Sequence, residues 1–269
     1  MTLLVLAMGT GETALCITSE PPLPVPNLLD NGGFEEGSEG APGGWRFTTA
    51  MPNNFSATWR NDGRTGKCLH VENASSAMSG YWNQTVEVKP QTDYLLTGWF
   101  RLASGKLLCY VHGQGPDGRG VDARFYAGSM VNRFLVPVFL KREYLSGTDP
   151  EQWYPFRLPV TTGPGMTRIT VSLGMYFEAG EVSYDDFRLV RATTDMRIQI
   201  RAGKEGIAHV KLLAEGETAP LFDSGPLPAG TVTFEKTLRG IATDKHYILE
   251  AWLPTGEVLR RSYPEDSPQ

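Results

Sequence analysis

The feature that most constrains this chain is its punctuation. Glycine supplies 30 residues and proline 19 of 269, with no collagen-like period, and no stretch of about a dozen residues between them has the apolar spacing of a helix. What lies between the turn signals is short and strand-like. Thr85–Val88, Tyr94–Leu102, Lys106–His112, Ile169–Phe177 and Val182–Val190 each alternate apolar with polar residues or are rich in β-branched and aromatic ones. Phe134–Tyr144 contains Pro137 and stays ambiguous. Segments of this kind predict an antiparallel all-β protein whose core is shared between two sheets.

Composition narrows the function classes. The net charge is −5, which disfavours nucleic acid as a partner, because phosphate binding draws on a clustered basic surface. No apolar run reaches the ~18 residues of a membrane span. Cys16, Cys68 and Cys109 cannot all pair within one chain and form no CxxC, so neither a disulfide framework nor a Cys-rich zinc site is expected. HExxH, Gly-x-Ser-x-Gly and phosphate-binding glycine loops are absent, and His70, His112, His209 and His246 are scattered. His112 reads as a surface or loop histidine, and the Asp117–Asp122 loop as turn chemistry rather than a calcium loop.

Three segments follow. Residues 1–26 read as a leader and linker: a short apolar start without a basic flank, then Ile17–Pro26 with four prolines in ten positions. Residues 27–191 hold the first strand set. After a polar hinge, 195–263 hold strand-like segments suited to a smaller immunoglobulin- or fibronectin-like β-sandwich. The tail Pro264–Gln269 is polar.

Alternation assigns faces. Tyr94, Leu96, Gly98, Phe100 and Leu102 point to the core, leaving Trp99 and Arg101 on the other face. Leu107, Cys109 and Val111 point in, Tyr110 and His112 out. Ile169, Val171, Leu173 and Met175 point in, Tyr176 out. For Tyr81-Trp82, strict alternation with Val86 and Val88 turns Trp82 inward, whereas a bulge at Gly80 would turn it outward; either ring remains open as the exposed one. Trp45 and Trp153 read as core plugs at strand ends.

The segment Asn27-Leu-Leu-Asp-Asn-Gly-Gly-Phe-Glu-Glu-Gly37, followed by Gly43-Gly-Trp45, resembles the opening of the β-jelly-roll carbohydrate-binding modules of the xylan- and glucan-binding superfamily (families four, nine and twenty-two). Further pieces follow in the family's order: Gly66–Val71, Tyr81–Pro90, Tyr94–Arg101, Gln152-Trp153 and Val182–Val190. The resemblance covers 27–191, while Gly113–Asp149 departs from the pattern. It implies a jelly-roll β-sandwich that binds polysaccharide or oligosaccharide without catalysis, outside the cell or at its surface, as part of a larger glycan-degrading or surface assembly. Carbohydrate-binding candidates are Tyr81, Trp82, Trp99, Arg101, Tyr110 and Tyr176, with rings to stack on sugar faces and polar groups to read hydroxyls. The resemblance also implies a structural calcium held by Glu35, Asp185 and the carbonyls of Gly33 and Lys67, a hard-oxygen set that suits the ion. The alternatives are a structural or adhesion module that binds protein, and a glycoside hydrolase or lyase using the same groove. A facing carboxylate pair would favour the hydrolase; a groove filled by Gly113–Asp149 would favour the structural module.

Overall fold

The computed structural model describes residues 13–117, 139–142, 145 and 149–264. Most of Gly113–Asp149, with the 117–122 loop beyond Asp117 and seven of the eleven residues of 134–144, the first twelve residues and the last five lie outside them. Two compact units divide the chain: one comprises 26–191, the other 1–25 together with 192–269.

The first unit is a jelly-roll β-sandwich. Its strands are β2 (Gly37–Ser38), β3 (Ala41–Pro42), β4 (Arg46–Thr49), β5 (Phe55–Arg60), β6 (Cys68–Asn73), β7 (Gly80–Glu87), β8 (Asp93–Ser104), β9 (Lys106–Gln114), β10 (Phe139–Lys141), β11 (Tyr154–Thr161), β12 (Arg168–Met175) and β13 (Gly180–Arg191). Beside the small β2-β3 ribbon stand two five-stranded sheets, in the orders β10-β9-β12-β7-β4 and β11-β8-β13-β6-β5. From β6 onward the chain crosses repeatedly between them. Each sheet therefore turns one face inward, and period-two patterning fills the core: Trp82, Val86, Leu107, Cys109, Val111, Ile169, Val171, Leu173 and Met175 from one, Leu69, Val71, Tyr94, Leu96, Phe100, Leu158, Val182, Tyr184 and Leu189 from the other.

The Asn27–Gly37 opening serves as a clamp. Asn27 Nδ2 donates to the Phe187 carbonyl at 3.1 Å, and its Oδ1 accepts the Leu189 amide at 2.8 Å. Asn31 Nδ2 donates to the carbonyls of Glu36 and Gly43, while the Trp45 indole donates to the Asn31 carbonyl. The motif thus holds the start of this unit against β13, near its end. Trp45 is a core plug at 5% exposure; Trp153 is only half-buried.

The second unit corrects the expectation for 1–26. β1 (Ala14–Glu20) is a full sheet strand, paired antiparallel with β14 (Thr193–Arg201) from Ala14↔Arg201 to Glu20↔Asp195. Leu15 and Ile17 alternate into a core with Met196, Ile198 and Ile200. The proline density that marks a linker begins only after Glu20, and the Ala-Leu-Cys-Ile-Thr-Ser stretch before it is ordinary strand sequence. The remaining strands are β15 (His209–Ala214), β16 (Phe222–Asp223), β17 (Thr233–Ala242), β18 (Tyr247–Trp252) and β19 (Val258–Tyr263). They form sheets ordered β1-β14-β17 and β16-β15-β18-β19. Cys16, Cys68 and Cys109 are all free thiols, and no helix among the described residues is long and apolar enough to cross a membrane.

Candidate functional site

Register on the outer face of the β10-β9-β12-β7-β4 sheet places side chains in rungs across the strands. Tyr81 lies opposite Gly174, which lies opposite Leu108; Asn83 opposite Ser172 and then Tyr110; Thr85 opposite Thr170 and then His112; Glu87 opposite Arg168 and then Gln114. Alternation puts all of these on the side away from the core. Tyr176, next after β12, continues the same parity.

The tyrosines gather at one end. Tyr81 and Tyr110 meet edge to face, with centroids 5.1 Å apart. Tyr176 carries the Lys106 ammonium 5.3 Å above its ring, and both Tyr110 and Tyr176 bear electrostatically on the Tyr81 phenol. Gly174 makes this arrangement possible: a methyl group there would lie 1.9 Å from the Gly80 carbonyl oxygen and 2.6 Å from Tyr81 Cδ1. The Tyr81 ring therefore settles where a side chain would otherwise stand. Burial pushes the Tyr81 and Tyr110 phenols up, so both stay protonated hydrogen-bonding groups.

Behind the tyrosines lies a hydroxyl and amide floor. Ser172 Oγ donates to Asn83 Oδ1 at 2.6 Å, and Asn83 Nδ2 donates to Thr48 Oγ1 at 2.8 Å. Thr85 and Thr170 share a hydroxyl–hydroxyl bond of 2.7 Å, and Gln114 Nε2 donates to Thr170 Oγ1 at 3.2 Å. Ser172 and Thr170 are buried, Asn83, Tyr110, His112 and Gln114 half-buried, and Thr85 exposed. The single carboxylate that β4, β7, β9 and β12 project on this face is Glu87. Basic groups at its margin are engaged: Lys106 pairs with Glu178 at 3.6 Å, and Arg168 donates to the Gly115 and Pro116 carbonyls.

Of the six sequence candidates, the structure brings together Tyr81, Tyr110 and Tyr176 and separates the other three. Trp82 is a core residue at 6% exposure whose indole donates to the His70 carbonyl. The β7–β12 pairing runs without a register shift, so no bulge at Gly80 reverses the alternation. Trp99 and Arg101 lie on the outer face of the other sheet. There Arg64 covers the Trp99 ring at 4.2 Å, and Arg101 is committed to Asp62 at 2.7 Å, to Glu151 at 2.8 Å and to the Trp153 ring. Alternation fixed which side of its own strand Trp99, Arg101, Tyr110 and Tyr176 occupy, but not which sheet the strand joins. Sequence reasoning turned His112 outward but read it as a surface or loop histidine, and it passed over Asn83, Ser172 and Gln114. The signal for them was the same outward parity that marked Tyr110.

Three of the four calcium candidates, Glu35, Lys67 and Asp185, meet at the turn before β6. Asp185 is fully buried; Oδ2 accepts the Thr65 amide at 2.9 Å and Oδ1 the Asp186 amide at 2.7 Å. Burial pushes its carboxyl up to about 6, and no cationic side chain among the described residues forms an ion pair with it: the nearby Arg64 pairs with Asp186 instead, at 2.9 Å. Glu35 Oε1 accepts the Lys67 amide at 2.9 Å. A methyl on Gly63 would sit 2.7 Å from the Lys67 carbonyl oxygen and 2.8 Å from Asp185 Oδ2. A buried carboxylate without a counter-charge, beside a carbonyl and close to a second carboxylate, fits a hard cation. No group of three or more His, Cys, Asp or Glu among the described residues forms a metal cluster, so such a site would be completed by carbonyls, Gly33 among the expected donors.

No family model matches the sequence, and no curated protein matches it. The solved structures similar to this chain include carbohydrate-binding modules of families 4, 11, 22 and 61. A family 61 module in complex with β-1,4-galactotriose is 22% identical, with TM-score 0.38, over 62% of this chain and 99% of its own. The xylan-binding family 22 module from Paenibacillus barcinonensis is 11% identical, with TM-score 0.35, over 69% of this chain and 97% of its own. The enzymatically active domain of tailspike protein 4 from bacteriophage CBA120 is 13% identical, with TM-score 0.45, over 61% of this chain. This chain spans about a fifth (21%) of that tailspike domain.

Proposed function

We propose that the 26–191 unit binds a polysaccharide or oligosaccharide, without catalysis, on the outer face of the β10-β9-β12-β7-β4 sheet. The observation that carries this reading is the grouping of Tyr81, Tyr110 and Tyr176 above crosswise rows of hydroxyls and amides. Such a surface offers apolar ring faces to sugar C–H groups and neutral donors and acceptors to sugar hydroxyls. Glu87 is the one carboxylate that β4, β7, β9 and β12 project on this face, so these strands supply no facing acid pair for glycoside hydrolysis. Calcium at Glu35, Asp185, Lys67 and Gly33 is the structural ion of this reading. The three-plus-four strand partition of the second unit supports the immunoglobulin-like assignment, and an extracellular or surface setting within a larger glycan-degrading or surface assembly accords with the whole.

A glycan array on the full chain, followed by calorimetry with the best soluble oligosaccharide, tests the site. Tyr81→Ala and Tyr110→Ala should each weaken binding about thirtyfold, the effect of losing an anchor worth ~2 kcal/mol. An array on which the parent chain retains no glycan rules the reading out.

A further inference from the structure

Among the described residues, one buried side-chain polar atom of this face has no partner: His112 Nδ1 makes no hydrogen bond. The other ring nitrogen, Nε2, lies 3.4 Å from Gln114 Nε2. An amide nitrogen only donates, so His112 Nε2 accepts in this contact. The same amide nitrogen gives its second hydrogen to Thr170 Oγ1 at 3.2 Å, and the Thr170 hydroxyl lies 2.7 Å from that of Thr85. In this orientation the amide gives one hydrogen to His112 Nε2 and the other to Thr170 Oγ1, which leaves the Thr170 hydroxyl hydrogen for Thr85. Burial lowers the His112 pKa and so favours the neutral ring. A neutral imidazole that accepts at Nε2 carries its hydrogen at Nδ1. His112 therefore holds a buried N–H donor with no acceptor among the described residues, whereas buried donors in folded proteins are nearly always paired. The ring stacks on Tyr110 with centroids 5.9 Å apart at 27°, so an acceptor that reaches Nδ1 would belong to a molecule also in reach of Tyr110.

We propose that His112 is a specificity-determining residue of the glycan site, its Nδ1–H donating to a hydroxyl oxygen of the sugar that lies against Tyr110. This rests on the carbohydrate-binding reading above. A sugar whose hydroxyl reaches this donor completes the buried pair; one that cannot leaves it orphaned, and discrimination follows from that difference.

The test uses the full chain and titrates xylohexaose, cellohexaose and β-1,4-galactotriose by calorimetry, with the melting temperature of each variant recorded. His112→Phe keeps a ring beside Tyr110 and removes the donor. It should lower affinity for the preferred sugar about five- to tenfold and flatten the preference among the three. His112→Asn places an N–H near the position of Nδ1 and should retain most of the affinity; His112→Gln, which reaches toward the Nε2 position, should behave like His112→Phe. If His112→Phe does not fold, the contrast between the Asn and Gln variants still decides. If His112→Phe binds all three sugars like the parent while Tyr81→Ala and Tyr110→Ala lose them, the assignment to His112 falls and the glycan reading stands. Retention by His112→Gln with loss by His112→Asn overturns the choice of atom and with it the proposal. If the parent binds no glycan on the array, both readings fail together.

Discussion

His70 illustrates how burial decides a titration. It faces away from the core on β6 yet is only 6% exposed, among Ser183, Arg101, Arg60, Asp62 and Glu181. Burial, reinforced by the Arg60 charge, takes its pKa down to about 4; Glu181, 3.8 Å away and half in solvent, does not offset this. Because the folded value lies below the unfolded one of about 6.5, the unfolded chain takes up the proton first as pH falls. The contribution of neutral His70 is thus fully present above pH ~6.5 and is lost toward pH 4 at about 1.4 kcal/mol per unit. Chemical denaturation of the parent and of His70→Gln across this range should show a steeper acid loss in the parent; parallel curves would refute it. A second prediction separates two neighbours. Trp82→Ala should destabilise the fold by about 3–5 kcal/mol, as a large core deletion does, while Tyr81→Ala should leave the melting temperature within a few degrees and lose glycan. Here the sequence was half legible: alternation with Val86 and Val88 turned Trp82 inward, but the bulge that Gly80 allows left either ring open, and the unshifted β7–β12 register decides for Tyr81 as the outward one.

At the scale of elements, β12 unites two roles, its odd-numbered positions from Ile169 to Met175 building the core while the even ones floor the candidate site. Gly174 is the point where the two roles meet, and Gly174→Ala should both destabilise by about 1–3 kcal/mol through overpacking and displace the Tyr81 ring. Calorimetry would then show binding weakened toward that of Tyr81→Ala; full affinity in a folded Gly174→Ala variant would show that Tyr81 tolerates the displacement. The turn before β6 carries a third role. If calcium sits among Glu35, Asp185, Lys67 and Gly33, a chelator should lower the melting temperature while sparing glycan affinity, because an ion at a hundredfold excess over its dissociation constant stabilises the folded chain by about 2.7 kcal/mol. Glu35→Ala and Asp185→Ala should each erase the chelator's effect, and identical melting curves with and without calcium would dismiss the ion. What the sequence could not supply at this scale was sheet membership. Trp99 and Tyr110 are both outward on alternating strands, but pairing sends β8 beside β11 and β13 and sends β9 beside β12 and β10, so their rings belong to opposite outer faces of the sandwich.

At the scale of the whole molecule, the second unit is discontinuous in sequence: β1 belongs with β14 and β17, and the entire jelly roll is inserted between β1 and β14. The sequence read 192–195 as a polar hinge, but Thr193–Asp195 already belong to β14, and the role of β1 was hidden by the prolines that follow it and by pairing across 175 to 187 residues, which no local pattern reports. The insertion is accommodated because each unit brings its own ends together: Leu28 donates to the Leu189 carbonyl within the first, and Glu20 pairs with Asp195 within the second. Two outcomes follow. Residues 26–191 expressed alone should unfold in one cooperative transition and keep the glycan affinity of the full chain, since every core side chain and every residue of the candidate site lies inside that span. Residues 192–264 alone should not, because β14 would lose the partner that covers one edge along seven register pairs, and the core would lose Leu15 and Ile17. Joining residues 13–25 to 192–264 through a short Gly/Ser linker in place of the jelly roll should restore cooperative unfolding. If 192–264 melts cooperatively by calorimetry without the N-terminal strand, β1 is an accessory edge and the second unit is complete without it.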